Sequence, residues 1–354
     1  DVPLVGVGPG APLATRVVDA LNGAGIAAFG PGREAGRLEG WPVHDRLRWV
    51  ETPRWLMPCR GAWDRLDLYH GPNFKMHTTG RSGGIVTIHD LWLARHPEYS
   101  RKLLGQAGSS RRAMATANRA RRVVTVSDFS AREIEALYGI PRERVVVIHN
   151  GVTEEFSPVQ DEQGMAVLRA RWAIPSAGFI LFVGGADPRK NHRVFLQAVA
   201  QSRSQLGGRA ILLVGDAEHP QGSYLATARS LGLEQDVRCT GRLNREDLCR
   251  LYSYAEVFVF PSLYEGFGMP VLEAMACGAP TITSSTSSLP EVAGDAALLV
   301  NPEDAEALGA AMVKVLSEQA LQQQLRDRGF ERTRLFTWQR AALRTSALYR
   351  ELCA

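Results

Sequence analysis

Several things are scarce in this sequence, and each scarcity excludes a class of protein. Cysteine occurs five times in 354 residues, at Cys59, Cys239, Cys249, Cys277 and Cys353. The count is odd and no CxxC is present, so neither a disulfide framework nor a zinc site is indicated. Reduced, mostly buried thiols are expected. No apolar run approaches the ~18–20 residues needed to cross a bilayer. Neither sign of charge dominates: 41 Lys and Arg against 37 Asp and Glu give +4. The opening DVPLVGVGPG has no basic flank and no long apolar core, unlike a signal peptide. The first residue is Asp1, which leaves room for a start methionine or a short leader ahead of it.

What is present is an ordinary globular composition: 45% hydrophobic, 22% charged, mean hydropathy −0.13. That excludes a disordered chain, a coiled coil and a multispan membrane protein. The length is too great for one compact open-sheet unit and about right for two. The charge is unevenly spread. Residues 1–155 carry 21 basic and 16 acidic residues, and the excess gathers between Arg95 and Arg122, where Glu98 is the one acid.

Short β-branched runs alternate with helical spacings. In the first half, strands are expected at Val2–Val7, Ile26–Phe29, Ile85–Ile88, Val123–Val126 and Val145–Ile148, with a helix through Leu13, Val17, Val18 and Leu21. Residues 30–60, rich in glycine and proline and holding Trp41, Trp49 and Trp55, read as irregular. Residues 151–178 form a boundary, with a short helix near Arg169–Trp172. The second half restarts with strands at Phe179–Val183, Ala210–Val214, Val237–Thr240, Val257–Phe260, Thr281–Thr283 and Ala297–Val300. Helices are expected at 191–203, 222–231, 245–253, 270–277, 303–317, 319–331 and 338–353. Alternating strands and helices imply βαβ units and parallel sheets. The expected class is α/β, with two doubly wound domains facing across a cleft: 1–160, 161–335, and a last helix within 336–354. In such sheets ligands bind beyond the carboxyl ends of the strands.

Several motifs occupy those ends. Gly6-x-Gly8-x-x-Ala11 matches the dinucleotide fingerprint, but no acid ends the second strand, where Phe29 runs into Gly30-Pro31-Gly32. A glycine turn that brings Gly10 close to a ligand fits better. FPSLYEGFGMPVLEAMACG (260–278) is the most informative stretch. Pro270 suits a first helical turn, and the amides of Gly268 and Met269 should emerge from that helix end, a place for phosphate. Glu273 lies one turn in and Glu265 in the loop, so the two acids could bracket a sugar nucleotide. The plainer reading is a solvated loop acid and an acid near the helix dipole. Arg189 and Lys190 sit where the next helix begins, a sensible place for cations if an anion binds there. Asn191 reads as its cap. His89-Asp90 ends a strand as either a site pair or a structural one. Ser127-Asp128 begins a helix, where an N-cap is the simple alternative, and His149-Asn150-Gly151 could be an ordinary turn.

Together these pieces resemble a GT-B glycosyltransferase of family 4, across nearly the whole chain. The resemblance rests on EGFGMPVLEAMACG (265–278), DPRKN (187–191), SSLPEVAGDAALLVNP (287–302), VTIHD (86–90), VTVSDFS (124–130) and VIHNGV (147–152). GPNF at 71–74 is similar to the mannosyltransferase-like branch. The resemblance implies that Lys190, with Arg189 nearby, binds the donor pyrophosphate. Glu265 would contact sugar hydroxyls, the amides of Gly266, Phe267, Gly268 and Met269 the sugar and distal phosphate, and Glu273 the ribose. His89 would lie near the donor sugar, and Asn150-Gly151 near the interdomain edge. Gly10 and Ser127 complete the candidate donor-binding set. One departure is Gly184-Gly185, where many relatives carry an arginine after the first glycine; Arg189 would supply that charge.

The implied reaction is retaining transfer of a sugar from a nucleotide diphosphate to an acceptor hydroxyl, in polysaccharide, lipopolysaccharide or glycolipid synthesis. No cofactor or metal is implied, and no DxD motif is present. GDP-mannose is the first donor expected and UDP-sugars the next. The competing readings are a nucleotide-sugar epimerase and a non-catalytic sugar-nucleotide-binding subunit. The expected partners are the donor, a carbohydrate or lipid-linked acceptor, and no nucleic acid. The basic stretch 95–122 reads either as a solvated face or as peripheral contact with anionic lipid, at ~1 kcal/mol per basic residue. The expected location is cytoplasmic, with that contact on the inner face of the cell membrane.

Overall fold

The computed structural model describes Val5–Val7, Ala28–Phe29 and residues 68–76, 83–97, 107–219 and 222–354. Gly10, the helix expected at 13–21, the irregular 30–60 segment and Cys59 lie outside the described residues. The chain divides into two compact units. One joins Asp1–Gly151 to Phe336–Ala354; the other is Val152–Leu335.

The first unit holds a six-stranded parallel sheet: β1 (Val5–Val7), β2 (Ala28–Phe29), β3 (Leu68–Gly71), β4 (Gly84–Ile88), β5 (Arg122–Thr125) and β6 (Val145–Val147), in the order β2-β1-β3-β4-β5-β6. Side chains alternate across it, as strand geometry requires. Ile85 joins Leu68, Val124, Leu348 and Tyr349 on one face. Val86 and Ile88 join Ala113, Ala117 and Ile134 of helices Ala107–Arg119 and Asp128–Tyr138 on the other.

Strand β3 was not expected. Its sequence, Leu-Tyr-His-Gly, has no β-branched residue and ends in glycine, so Tyr69 alone favours a strand. The structure resolves the conflict by pairing. Hydrogen bonds link His70 Nδ1 to the Tyr349 hydroxyl at 2.5 Å and Nε2 to the Thr87 hydroxyl at 2.7 Å. Burial pushes the His70 pKa down to about 3, with a further push from His89, so the ring is neutral. Tyr349 belongs to helix Trp338–Cys353, which closes this face of the first sheet. Gly151 lies against the start of that helix. A Cβ there would stand 2.1 Å from Trp338 N, so the close approach requires glycine.

The second unit holds β7 (Phe179–Val183), β8 (Ala210–Val214), a small hairpin of β9 (Glu218–His219) and β10 (Gly222–Ser223), then β11 (Val237–Gly241), β12 (Val257–Phe260), β13 (Thr281–Ser284) and β14 (Ala297–Val300). The large sheet is parallel, in the order β11-β8-β7-β12-β13-β14. Ile180, Phe182, Ile211, Leu213, Val257 and Val259 pack under Phe195, Leu196, Leu308 and Met312 from helices His192–Ser202 and Ala305–Ser317. Each such buried side chain contributes roughly 1.5–3 kcal/mol.

The helix expected near Arg169–Trp172 is longer, Glu162–Arg171, and is capped by Asp161, whose carboxylate accepts from Gly164 N. Residues 152–160 group with the second unit because this segment is tied to helix Arg245–Tyr254. Arg250 Nε donates to Asp161 Oδ2 at 2.7 Å, Val159 N to Ser253 Oγ at 3.0 Å, and Tyr254 to Glu162 at 3.0 Å.

The strand order fixes where each sheet opens. In the second, β7 leads to β8 on one side, and the chain later returns to place β12 on the other. The switch point is therefore between β7 and β12. In the first it is between β1 and β3.

Candidate functional site

The two loops that leave the switch point of the second sheet carry the most informative motifs. After β7 the chain runs Gly184-Gly185-Ala186-Asp187 into a 3-10 turn, Pro188–Lys190. The Asp187 side chain opens that turn by accepting from Arg189 N at 2.9 Å. After β12 the chain runs from Pro261 to Gly268, and helix Met269–Ala276 begins. Leu263 N donates to Arg189 O at 2.9 Å, so the loops are joined through backbone.

This junction brings Lys190 and Glu265 together. Lys190 Nζ lies 2.6 Å from Glu265 Oε1, and Arg189 Nη1 lies 4.0 Å from Glu265 Oε2. The Lys190 ammonium also stands 4.9 Å from the centre of the Phe260 ring, where the face attracts a cation. Lysine is rare here, four of 41 basic residues. Gly184 gives its stem room: a Cβ there would sit 3.2 Å from Lys190 Cγ.

Glu265 is not the solvated loop acid of the plainer reading; it is 7% exposed. Ser262 Oγ donates to its Oε1 at 2.7 Å. Burial alone would push this carboxyl up. Lys190 and then Arg189 outweigh that, helped by the hydrogen bonds from Lys190 and Ser262, and hold it below the ordinary carboxylate value. Its backbone is fixed as well. Glu265 N donates to Ser287 Oγ at 3.2 Å, and Ser288 Oγ lies 2.9 Å from both Glu265 O and Phe267 O. Ser287 itself has φ +57°, a conformation that non-glycine residues hold only when the surroundings impose it.

Gly268 occupies the cap of helix Met269–Ala276 with φ +104°, and no side chain caps that end. Pro270 stands in the first turn without an N–H. Gly266 and Phe267 are buried in the loop ahead, and Met269 is half-buried. Glu273 is half-buried one turn in, and Tyr252 donates to its Oε2 at 3.4 Å. Burial, then the Glu273 charge, pushes the Tyr252 hydroxyl well above its usual range, so it stays a donor.

Asn191 corrects the sequence reading. It stands at the cap of helix His192–Ser202, but its side chain makes no capping bond and its φ is +60°. Its Nδ2 donates instead to Pro261 O at 3.0 Å and Pro302 O at 2.6 Å. Ser262, Ser287, Ser288 and this use of Asn191 were not foreseen. A hint was available for Ser262, two residues past the end of β12, because a serine hydroxyl there can bond groups of its own loop.

The first unit offers a smaller set. His89 Nε2 donates to Pro72 O at 2.8 Å, so the other ring nitrogen is an acceptor. Burial lowers the His89 pKa, only partly opposed by Pro72 and Asp90, and the ring is neutral. Phe74, at φ +57°, meets it edge to face at 5.7 Å. Asp90 Oδ1 accepts from Trp92 N at 3.0 Å; no bond joins it to His89. Ser127 is fully buried and its hydroxyl caps helix Asp128–Tyr138, accepting from Ser130 N at 3.0 Å. Asn150 is 9% exposed, beside Gly151. Gly10 lies outside the described residues.

Comparison with known proteins shows the family and the fold. Residues 15–156 match the model of the Glycosyltransferase Family 4, and residues 167–332 that of the Glycosyl transferases group 1. The chain is 33% identical over 310 residues to the O-antigen chain mannosyltransferase B of Escherichia coli, covering 86% of this chain and 80% of that one. It is 34% identical over 233 residues to the serotype-specific mannosyltransferase WbdA of Escherichia coli, covering 65% of this chain and 28% of that one. Among solved structures, Anabaena HepE in complex with UDP and glucose aligns with a TM-score of 0.77 at 18% identity, over 99% of this chain and 100% of that one. Sucrose-phosphate synthase from Thermosynechococcus elongatus aligns with 0.74 at 23% identity, over 99% of each chain.

Proposed function

Since the chain belongs to the glycosyltransferases that join a family 4 half to a group 1 half, we propose that it moves mannose from GDP-mannose to a hydroxyl of a growing polysaccharide or lipid-linked glycan, with retention of configuration. That it is a glycosyltransferase follows from membership. The donor, the acceptor and the stereochemistry are the reading offered here. The Lys190–Glu265 contact at the switch point of the second sheet carries it.

An arriving diphosphate competes with Glu265 for Lys190. The freed carboxylate keeps the hydrogen bond from Ser262 and accepts from hydroxyls of the donor sugar. Lys190 and Arg189 then face the diphosphate, whose charge grows as the bond to the anomeric carbon breaks. Charged groups already in place need no reorganisation at that moment. The uncapped helix start at Gly268 supplies further positive potential. Glu273, backed by Tyr252, takes the ribose hydroxyls. For retention, the acceptor oxygen attacks from the side the diphosphate leaves, and a phosphate oxygen takes its proton. The acceptor nitrogen of neutral His89 suits a sugar hydroxyl, and the first unit is assigned to the acceptor.

The reading extends to lipid. Within 95–122, Arg95 pairs with Glu133 at 2.7 Å, Arg122 with Glu351 at 3.3 Å, and Arg121 donates to Leu352 O at 2.8 Å. Arg111, Arg112 and Arg119 are exposed on helix Ala107–Arg119, whose sequence has no acid. We assign this face to reversible contact with anionic headgroups. Among the described residues, no helix is long and apolar enough to cross a membrane.

A thermal-shift screen with GDP-, UDP- and ADP-sugars tests the donor, since a ligand that binds only the folded chain raises its melting temperature. The largest shift is expected with GDP-mannose. A larger shift with a UDP-sugar would reassign the base. Cosedimentation with vesicles that ignores their anionic lipid content would remove the lipid assignment.

A further inference from the structure

Asn191 is spent on something other than its helix. Asparagine tolerates left-handed backbone better than most residues, but a single such position still costs free energy unless the fold imposes it. Here four bonds impose it. Its N–H donates to Pro188 O at 3.0 Å, its carbonyl accepts from Phe195 N at 3.3 Å, and both hydrogens of its amide are used on Pro261 O and Pro302 O. Pro261 is the first residue after β12, and Pro302 the second after β14. One side chain 5% exposed thus ties the loop after β7 to two other strand-end loops. It does so one residue after Lys190.

We propose that Asn191 is a positioning residue of the donor site, which sets the Lys190 ammonium against the place of the donor diphosphate by clamping three loops in register. The proposal rests on the donor reading given above. The clamp and the charge belong to one device. Leu263 N holds Arg189 O, and Ser262 Oγ lies 3.0 Å from the same oxygen while donating to Glu265. Releasing Pro261 loosens the segment that presents Ser262 and Glu265. Releasing Pro302 leaves the turn Pro188–Lys190 anchored on one side only. A one-ångström displacement of a charge that must meet a phosphate can cost on the order of a hundredfold in rate.

The test is a double-mutant cycle on Asn191→Gly and Lys190→Ala. Glycine accepts φ +60° without strain, so it removes the clamp and keeps the backbone path. Nucleotide affinity is read by titration with GDP and with UDP, and turnover as release of the nucleoside diphosphate from its mannose or glucose donor. Asn191→Gly alone is expected to lose about 10–100-fold in turnover. In the Lys190→Ala background the same change should cost less than about threefold, because its effect runs through the missing ammonium. Equal losses in both backgrounds would overturn the proposal, because a merely structural role is additive. If Asn191→Gly does not fold, Asn191→Asp serves in its place: it keeps the shape and the backbone tolerance but turns a carboxylate toward one or both carbonyls. Binding of neither nucleotide by the wild-type chain would overturn the donor reading and this proposal with it. Binding with additive losses would overturn this proposal alone.

Discussion

Both sheets are six-stranded and parallel, and among the described residues the loops at their strand ends are held by different contacts. At the second switch point, strand-end loops are cross-braced by side chains: Asn191 to two carbonyls, Ser262 to Glu265, Ser287 and Ser288 to the backbone around it. In the first unit, the His89 ring is held by a hydrogen bond to Pro72 O and an edge contact with Phe74, and Ser130 Oγ donates to the His89 carbonyl at 3.4 Å. Bracing of the first kind holds charges at fixed spacing, as the proposed diphosphate site requires. The difference teaches that a fold repeated within a chain does not repeat its chemistry.

The comparison breaks first at Lys190. Lys190→Ala should lose on the order of 10²–10³ in turnover with the fold intact, as removal of one preorganised charge does elsewhere. Near-wild-type turnover would deny the second unit its charged role. Next comes a packing change in the first unit. Gly151→Ala should destabilise by about 1–3 kcal/mol, because its Cβ would stand 2.1 Å from the Trp338 backbone nitrogen. Denaturant melts check it, and an unchanged midpoint would show that the helix start can shift freely. His89→Ala should cost only about tenfold in turnover, the scale of one neutral hydrogen bond. A loss larger than that of Lys190→Ala would reverse the ranking of the two units.

A last prediction concerns pH. The folded pKa values of His70 and His192 are lowered to about 3 and about 4, with burial the largest cause for each. Both rings are neutral above the unfolded value, and there they impose no penalty. As pH falls below about 6.5, the unfolded chain takes up protons that the folded chain refuses, so stability declines. The decline is about 1.4 kcal/mol per pH unit for each ring until its folded pKa is reached. His70→Gln should flatten the dependence between pH 6 and 4 by one proton. An unchanged slope would place His70 in a wetter setting than the Tyr349 and Thr87 bonds describe.

How much of this was legible follows from distance along the chain. The loop between β12 and its helix was readable because strand, glycine turn, Pro270 and both acids fall within twenty residues. Lys190 was readable for the same reason. That Lys190 and Glu265 meet was not, because the contact spans 75 residues. β3 was hidden because a buried histidine contradicts strand composition until Tyr349, 279 residues away, supplies its partner. Asn191 was misread as a cap because a cap uses the amide oxygen on the adjacent helix, whereas here the amide nitrogen donates to two carbonyls 70 and 111 residues away.

The helix Trp338–Cys353 has a consequence for synthesis. It covers one face of the first sheet and gives His70 its partner, yet it follows the whole second unit in chain order. The second unit is one continuous segment and can complete its core as soon as residue 335 has emerged. The first unit, begun earlier, must wait for residues 336–354 before that face is dry. The part made first is therefore finished last, and until then Leu68, Ile85 and Val124 present an open apolar face to whatever protects nascent chains.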